Sequence, residues 1–356
     1  MSHFTYINTP TELEEAAKQW GLSADLAVDL ECENNLHHYG AYITLIQISN
    51  GIENWVVDVL TLKEIKPLIE VLENKSIQKV FHDVGFDFRI LYEQFSCRPK
   101  NIFDTQIAAL LLGKENIGLG ALLEEYLSIH KEKKFQMADW TKRPISPAML
   151  AYAVTDILYL LPLREILKKE LQEKDRLSWA IEEFAMIENI EFTYTDQEFM
   201  DVRGVRDLSE QQLGIFKQLF FLRKQLAQEV DRPVHFVIST QKLKEFAVNP
   251  AINWSFVRSV HPIVRIKAKL FQEAVEKGKQ EPVQLVKIKR KYSTVEEKEQ
   301  FEKLYELQAK LAGKLKIKGH LIINKEQMNQ IVFNNDCSCL RNWQKRLLEG
   351  EGFKCS

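Results

Sequence analysis

Two carboxylates end a mostly apolar run near the N-terminus. Asp29 and Glu31 close the stretch SADLAVDLE. In a β-strand, residues two apart point to the same face, so these side chains would project together, roughly 7 Å apart along the strand. An ionised carboxylate beside a core is unfavourable unless a cation or a hydrogen-bond donor meets it. The pair is therefore either a solvated strand end or a site for a cation.

A tyrosine and an aspartate stand out on a segment that is otherwise almost wholly apolar. Tyr152 and Asp156 lie in SPAMLAYAVTDILYLLPL, where Ser146 and Pro147 fit the N-cap and first-turn positions of a helix. Residues four apart share one helical face. An aspartate on such a helix needs a cation or a donor, whereas a half-buried tyrosine is ordinary in a core. Asp156 is therefore a second candidate to bind a cation.

Further acidic residues occur in KVFHDVGFDFRILYE and NIFDTQIAALLLG. We predict that Asp83 caps the helix that follows it and that Asp104 caps the next one. Asp87 lies one turn into its helix between two phenylalanines, where capping does not explain it. Asp87 thus joins the candidate site residues.

The elements that carry these residues alternate between strands and helices over residues 1–175. NTPTELEEAAKQWG predicts a helix with a capping box, and DLAVDLE, AYITLIQIS and NWVVDV predict three strands. IQKVFH predicts a further short strand. Helices are predicted over GFDFRILYEQF, 104–112, about 118–128 and, as one long helix, from Pro147. This order predicts an α/β domain with a mixed sheet flanked by helices.

The strand signals end near residue 180, and two helical blocks follow at 209–277 and 295–350. Residues 222–247 align without a gap on residues 307–332. The corresponding positions include Leu222 and Leu307, Leu226 and Leu311, Ala227 and Ala312, His235 and His320, and Ile238 and Ile323. Apolar residues that recur at matched helical positions predict a duplicated small helical domain.

Charge is distributed unevenly along the chain. Residues 1–200 contain 19 Lys and Arg against 32 Asp and Glu, whereas residues 201–356 contain 29 against 18, although the net charge is only −2. An acidic region joined to a basic one suggests that the basic region meets a polyanion. The alternative is that both regions have ordinary solvated faces.

The composition is typical of a soluble globular protein of two or three domains, with 45% hydrophobic and 28% charged residues in 356. We expect no membrane span, because no run of eighteen uncharged apolar residues occurs. The N-terminus lacks the pattern of a signal peptide. The five scattered cysteines favour a reducing compartment, so we expect a cytoplasmic protein.

The acidic motifs together resemble the exonuclease motifs of the DEDD superfamily, tyrosine subtype. The matching positions are Asp29-x-Glu31, His82 with Asp87 five residues later, FDT at 103–105, and Tyr152-x-x-x-Asp156. MADWTKRPISPAMLAYAVTDILYLL is similar to the third-motif region of ribonuclease D and of the nuclear exosome exonuclease. The repeated helical block resembles the HRDC domain, a module of RecQ-type helicases and ribonuclease D.

This resemblance implies a ribonuclease H-like exonuclease domain over residues 1–175. Two all-α HRDC-like domains would follow, over 205–285 and 292–356. One departure concerns the residue between the first two carboxylates. This chain has Leu30 there, where ribonuclease D usually has threonine. In this respect the chain is closer to the nuclear enzyme, which affects the expected substrate more than the expected chemistry.

The resemblance also implies two divalent metal ions, with Mg²⁺ expected and Mn²⁺ as a substitute. Asp29, Glu31 and Asp156 would hold the ion that activates the attacking water. Asp29 would bridge to a second ion, which Asp87 holds directly or through its waters. A tyrosine with a pKa near 10 is a poor base at neutral pH. Tyr152 would therefore orient the attacking water by a hydrogen bond.

Basic and aromatic residues are interleaved in HKEKKFQMADWTKRP, just before the helix that carries Tyr152. Such a mixture is typical of a groove for single-stranded nucleic acid, although a solvated basic loop is the alternative. The candidate substrate-binding residues here are Lys131, Lys133, Lys134, Trp140 and Arg143. Arg223 and Lys224 in the first helical repeat, and KIKRK in the linker, would bind an RNA body with steep salt dependence. His37 and His38 would contact a terminal nucleotide or simply pack, and His82 would support the site by packing.

We therefore expect a 3′→5′ exoribonuclease that trims tRNA precursors and other small structured RNAs and releases 5′ mononucleotides. A DNA exonuclease of proofreading or repair type would use the same carboxylates. A non-catalytic RNA-binding module is a third reading, against which the intact acidic motifs argue. The HRDC resemblance alone would also fit a helicase accessory factor. No phosphate-binding loop of the G-x-x-x-x-G-K-S/T kind occurs, so the chain is not itself a helicase motor.

Overall fold

The computed structural model describes residues 3–192, 197–285 and 294–354. The basic linker motif KIKRK, residues 287–291, lies outside the described residues. The chain separates into two compact units. The first comprises Met1–Glu31, Ile43–Phe192 and Lys291–Ser356, and the second comprises Cys32–Tyr42 and Thr193–Arg290.

Within the described residues, six strands form one mixed sheet in the order β1-β4-β3-β2-β5-β6. The strands are β1 (Thr5–Ile7), β2 (Asp25–Asn34), β3 (Ala41–Ser49), β4 (Asn54–Asp58), β5 (Gln78–Phe81) and β6 (Ile102–Asp104). Strand β1 pairs in parallel with β4, β2 with β5, and β5 with β6, whereas β3 and β4 are antiparallel. The predicted mixed sheet is confirmed, and each predicted strand is present.

Helices flank this sheet, and most begin where the sequence predicts. They are α1 (Pro10–Trp20), α2 (Val59–Leu62), α3 (Lys66–Glu73), α4 (Gly85–Phe95), α5 (Thr105–Leu112), α6 (Leu119–Leu127), α7 (Pro147–Leu158), α8 (Leu160–Glu173) and α9 (Leu177–Glu188). The capping box of Thr9 and Glu12 is formed, and Ser146 caps α7 by accepting from the Met149 amide at 3.3 Å. The predicted long helix from Pro147 is instead two helices, because the backbone leaves helical geometry at Tyr159.

The second unit is helical. Its helices are α10 (Glu210–Glu229), α11 (Val234–Val237), α12 (Thr240–Val248), α13 (Pro262–Ile266) and α14 (Ala268–Gln280). Helices α10 and α14 approach closely at Gly214 and Gly278, since a Cβ on Gly214 would lie 2.5 Å from the Gly278 carbonyl oxygen. Residues Cys32–Tyr42, which follow Glu31 in the chain, belong to this unit. There His38 Nδ1 lies 2.6 Å from Asp231 Oδ2.

The second helical block belongs to the first unit and repeats the helix pattern of α10–α12. It consists of α15 (Val295–Leu315), α16 (Gly319–Ile322), α17 (Lys325–Asn334) and α18 (Asn342–Gly350). Under the sequence alignment, α16 falls on α11 and α17 on α12. Arg223 donates to the Ile238 carbonyl at 3.1 Å, and the aligned Gln308 donates to the aligned Ile323 carbonyl at 2.6 Å. This shared pattern supports the predicted duplication.

The second block packs on the helices beside the sheet. The buried guanidinium of Arg176 donates to the carbonyls of Leu111 and Leu315, each at 2.7 Å, and so joins the ends of α5 and α15. A Cβ on Gly113, which has a φ of +84°, would lie 2.0 Å from the Lys316 carbonyl oxygen. These contacts require a glycine at the end of α5. Among the described residues, no helix has both the length and the apolar character needed to cross a bilayer.

Candidate active site

Three carboxylates from two distant parts of the sequence meet at one point. One carboxylate oxygen from each of Asp29, Glu31 and Asp156 lies within 4.8 Å of the other two. Strand β2 presents Asp29 and Glu31 on one face, while Leu26, Val28 and Leu30 are buried on the other. Asp156 comes from the last turn of α7 and is 7% exposed. The predicted convergence of these three side chains is thus present in the structure.

A fourth carboxylate lies near the three. Asp87 is in the first turn of α4. Burial is the main cause that raises the pKa of Glu31, and the charge of Asp87 adds a smaller effect. Burial raises the pKa of Asp87 well above its usual value, and the charge of Asp29 adds to this effect. Burial and the charge of Asp156 likewise raise the pKa of Asp29 to about 8. Burial is the main cause of these shifts, and for Asp29, Glu31 and Asp87 the charges of neighbouring carboxylates add to it.

A lysine supplies part of the missing positive charge. The Lys131 ammonium forms an ion pair with Asp156 Oδ1 and lies 5.7 Å from the centre of the Tyr152 ring. Its charge lowers the pKa of Asp29, Glu31 and Asp156, although burial outweighs this effect in each of them. The sequence pattern suggested Lys131 as a substrate contact and missed its pairing with Asp156. A lysine 25 residues before the aspartate carries no signal of that contact.

Tyr152 lies beside the carboxylates with its ring held by two aromatic neighbours. Phe135 packs against it edge-on at 5.6 Å between ring centres, and Trp140 at 6.3 Å. Burial raises the pKa of Tyr152 to about 12. The phenol therefore stays protonated at neutral pH, so its hydroxyl can donate a hydrogen bond.

The β5–α4 connection that leads to Asp87 is held by hydrogen bonds. His82 Nδ1 lies 2.9 Å from Thr105 Oγ1, and burial lowers the pKa of His82 to about 4. Asp104 caps α5 as predicted, and it also accepts from the Val84 amide at 2.8 Å. The prediction that Asp83 caps α4 is wrong, because Val84 occupies that position and makes no side-chain cap.

The carboxylates open into a cleft of about 600 Å³. Its walls are formed by residues of β2, α6, α7 and the segment before α7. The lining residues include Asp29, Glu31, His82, Gly118, Gly120, Glu124, His130, Lys131, Lys133, Tyr152 and Asp156. Lys133 is exposed, as is Lys134, the next residue along the chain. The cleft is large enough to hold the end of a polymer against the carboxylates.

Other predicted substrate contacts are engaged within the protein. Arg143 binds both carboxylate oxygens of buried Asp58, each at 2.7 Å. Trp140 is 3% exposed, which leaves no face for a base to stack on. Arg223 is 2% exposed and donates to a main-chain carbonyl. These contacts argue against substrate binding by Trp140, Arg143 and Arg223. Lys224 lies half-buried on α10 of the second unit.

Comparison with known proteins agrees with this geometry. Residues 4–172 match the 3′-5′ exonuclease family. The chain is 27% identical over 248 residues to ribonuclease D of Serratia proteamaculans, which covers 69% of this chain and 66% of that protein. It is 34% identical over 191 residues to the exosome complex exonuclease RRP6 of Saccharomyces cerevisiae, covering 53% of this chain and 26% of that protein.

A solved structure shows the same fold over nearly the whole chain. The crystal structure of Escherichia coli RNase D superposes with a TM-score of 0.74 at 23% identity, covering 98% of this chain and 97% of that one. The matched regions span 57% to 66% of the first three ribonuclease D relatives compared. Residues 4–172 are thus similar to the 3′-5′ exonuclease family, and the chain is similar to ribonuclease D in sequence and in fold.

Proposed function

We propose that this chain is a metal-dependent exoribonuclease that removes nucleotides from the 3′ end of RNA. The observation that carries the proposal is the group formed by Asp29, Glu31 and Asp156 beside Tyr152, at the base of an open cleft. The ribonuclease D and RRP6 relatives support hydrolysis of RNA from the 3′ end.

The residues present fit divalent cations. Carboxylate oxygens are the ligands that Mg²⁺ and Mn²⁺ prefer. Asp156 Oδ1 is buried and, among the described residues, has no partner besides the Lys131 ammonium. We assign Asp29, Glu31 and Asp156 to one ion, and Asp29 with Asp87 to a second. Bound ions would supply an acidified water and stabilise the charge that develops on the leaving 3′ oxygen.

The protein side chains orient the attacking water and the carboxylates. Tyr152, protonated at neutral pH, donates a hydrogen bond that positions the water for attack on the terminal phosphate. The packing of Phe135 and Trp140 holds its ring in place. The apolar residues on the opposite face of β2 fix the direction of Asp29 and Glu31. The site therefore requires little rearrangement of its own side chains during the reaction.

For the substrate we propose single-stranded 3′ ends of tRNA precursors and other small structured RNAs, with release of 5′ mononucleotides. Lys131 and Lys133 line the cleft and Lys134 follows them in the chain, and the three would meet phosphates of the entering strand. Phosphate contacts of this kind carry little sequence preference.

For the helical blocks we propose HRDC-like domains over 205–285 and 292–356, after an exonuclease domain over 1–175. The first would contact the body of the RNA through the basic residues of its surface, Lys224 among them. We further propose that the enzyme works in the cytoplasm, where its RNA substrates and divalent cations are present.

The test is a time course on a 5′-labelled tRNA precursor with a short 3′ tail, beside a DNA strand that matches the tail. Each would be incubated with Mg²⁺, with Mn²⁺, with chelator, and with the Asp156→Asn protein. We expect shortening from the 3′ end of RNA that needs both metal and Asp156. Equal hydrolysis of DNA would make the chain a general exonuclease, and retention of uncut RNA would make it a binding protein.

A further inference from the structure

Lys131 places a positive charge against Asp156, one of the proposed metal ligands. It lies in the segment between α6 and α7, and its side chain is 18% exposed. Its ammonium contacts Asp156 Oδ1, whose own side chain is 8% exposed. Among the described residues, Lys131 forms an ion pair with Asp156 and with none of the other three acidic side chains at the site.

The ammonium and a divalent ion compete for the same carboxylate. Asp156 Oδ1 is buried, and a metal ion would need one of its lone pairs and the space in front of it. A hard divalent cation also repels a nearby ammonium strongly where water is scarce. Both cannot lie against this oxygen at once, so the lysine must withdraw before an ion binds there.

The cleft has room for the Lys131 side chain once it has moved away from Asp156. Lys131 lines the cleft together with Lys133 and His130, and a lysine side chain reaches several ångströms from its backbone. Rotation away from Asp156 would place the ammonium in the open part of the cleft. Lys133, by contrast, is exposed and makes no ion pair with the carboxylates among the described residues.

We propose that Lys131 is an exchangeable counter-cation, which neutralises Asp156 when the site lacks metal and yields that oxygen to the incoming ion. This inference rests on the metal site of the proposed function and adds a role that substrate binding does not require. Lys131 then sets the concentration of metal at which the site fills. It also keeps the metal-free site from accumulating uncompensated negative charge.

The test measures metal binding without RNA. Wild type, Lys131→Met, Lys131→Arg, Lys133→Met and Asp156→Asn would be stripped with chelator and titrated with Mn²⁺, with free Mn²⁺ followed by electron paramagnetic resonance. We expect Lys131→Met to bind Mn²⁺ about fivefold or more tightly than wild type, because a competing unit charge is removed. Lys131→Arg and Lys133→Met should stay within about twofold of wild type, since each keeps the charge at position 131.

A second measurement follows thermal unfolding of the same proteins. Without metal, Lys131→Met should melt below wild type, and saturating Ca²⁺ should raise its melting temperature by more than it raises that of wild type. If the Lys131→Met protein binds Mn²⁺ no more tightly than wild type, the inference is overturned. If the Asp156→Asn protein binds Mn²⁺ as tightly as wild type, the metal site of the proposed function is refuted instead.

Discussion

Arg143 and Asp58 form a two-pronged ion pair that joins the segment before α7 to the end of β4. The guanidinium Nε and Nη2 atoms lie 2.7 Å from Asp58 Oδ2 and Oδ1, and Asp58 is 1% exposed. The same carboxylate accepts from the Thr61 amide at 3.1 Å. The basic segment predicted to bind RNA is thus anchored to the sheet by one of its own arginines.

Removal of this arginine should destabilise the fold. Arg143→Ala leaves a buried carboxylate without its cation, so we expect the free energy of unfolding to fall by about 3 kcal/mol. Arg143→Lys, which keeps the charge but loses the paired geometry, should lose less. Urea denaturation of the three proteins measures the differences. A stable Arg143→Ala protein with weakened RNA binding would restore the substrate role predicted from sequence.

Replacement of the tyrosine should affect catalysis rather than binding. Tyr152→Phe keeps the ring contacts with Phe135 and Trp140 but removes the donor. We expect kcat to fall by about 100-fold with KM nearly unchanged, because the bond matters most in the transition state. Steady-state kinetics on a short single-stranded RNA provide the measurement, and Mn²⁺ affinity serves as the control. A change confined to KM would count against the proposed role.

A buried lysine away from the site should make stability depend on pH. The Lys79 ammonium donates to the carbonyls of Asn74 and Ile77, and burial lowers the pKa of Lys79 to about 8, although the charge of Glu188 acts in the opposite direction. The unfolded chain keeps this proton up to about pH 10.4.

Between these two pKa values the unfolded state binds more protons, so the contribution of Lys79 to stability should rise with pH. We expect wild type to gain about 1 kcal/mol per pH unit relative to Lys79→Met from pH 8 to 9.5. Denaturation of both proteins at matched pH isolates this residue from other titrating groups. Parallel pH profiles would show that Lys79 stays charged in the folded protein.

The close approach at Gly113 can be tested with a matched glycine. Gly113 and Gly352 both have positive φ, but a Cβ on Gly352 would meet nothing within 4 Å. Gly352→Ala should cost about 1 kcal/mol of backbone strain. Gly113→Ala should cost about 1–3 kcal/mol more, because its Cβ would overlap the Lys316 carbonyl oxygen. Equal losses in thermal unfolding would show that the second helical block shifts easily.

The features that the sequence predicted correctly are local ones. The shared face of Asp29 and Glu31 follows from the period of a strand, and the shared face of Tyr152 and Asp156 from the period of a helix. The cap at Ser146 likewise depends on neighbours within four residues. Each acidic motif could therefore be placed on its element before the elements were placed in space.

The errors concern contacts between distant residues. Arg143 was predicted to face RNA, because nothing in its own segment reveals Asp58, which is 85 residues away. Asp83 was predicted to cap α4, yet the amide of Val84 is bound by Asp104 from the next strand. Arg223 was counted among the surface cations, but its partner is the carbonyl of Ile238 across a turn. From the sequence alone, a charged residue that pairs with a buried group cannot be distinguished from one that faces solvent.

The bridge that Arg176 makes between Leu111 and Leu315 gives the second helical repeat a structural role within the first unit. Arg176 donates to one carbonyl at the end of α5 and to one at the end of α15, and Trp343 of the second copy stacks on Trp179 at 4.7 Å. The second copy is therefore also a structural support for α5 and α9, two helices of the first unit.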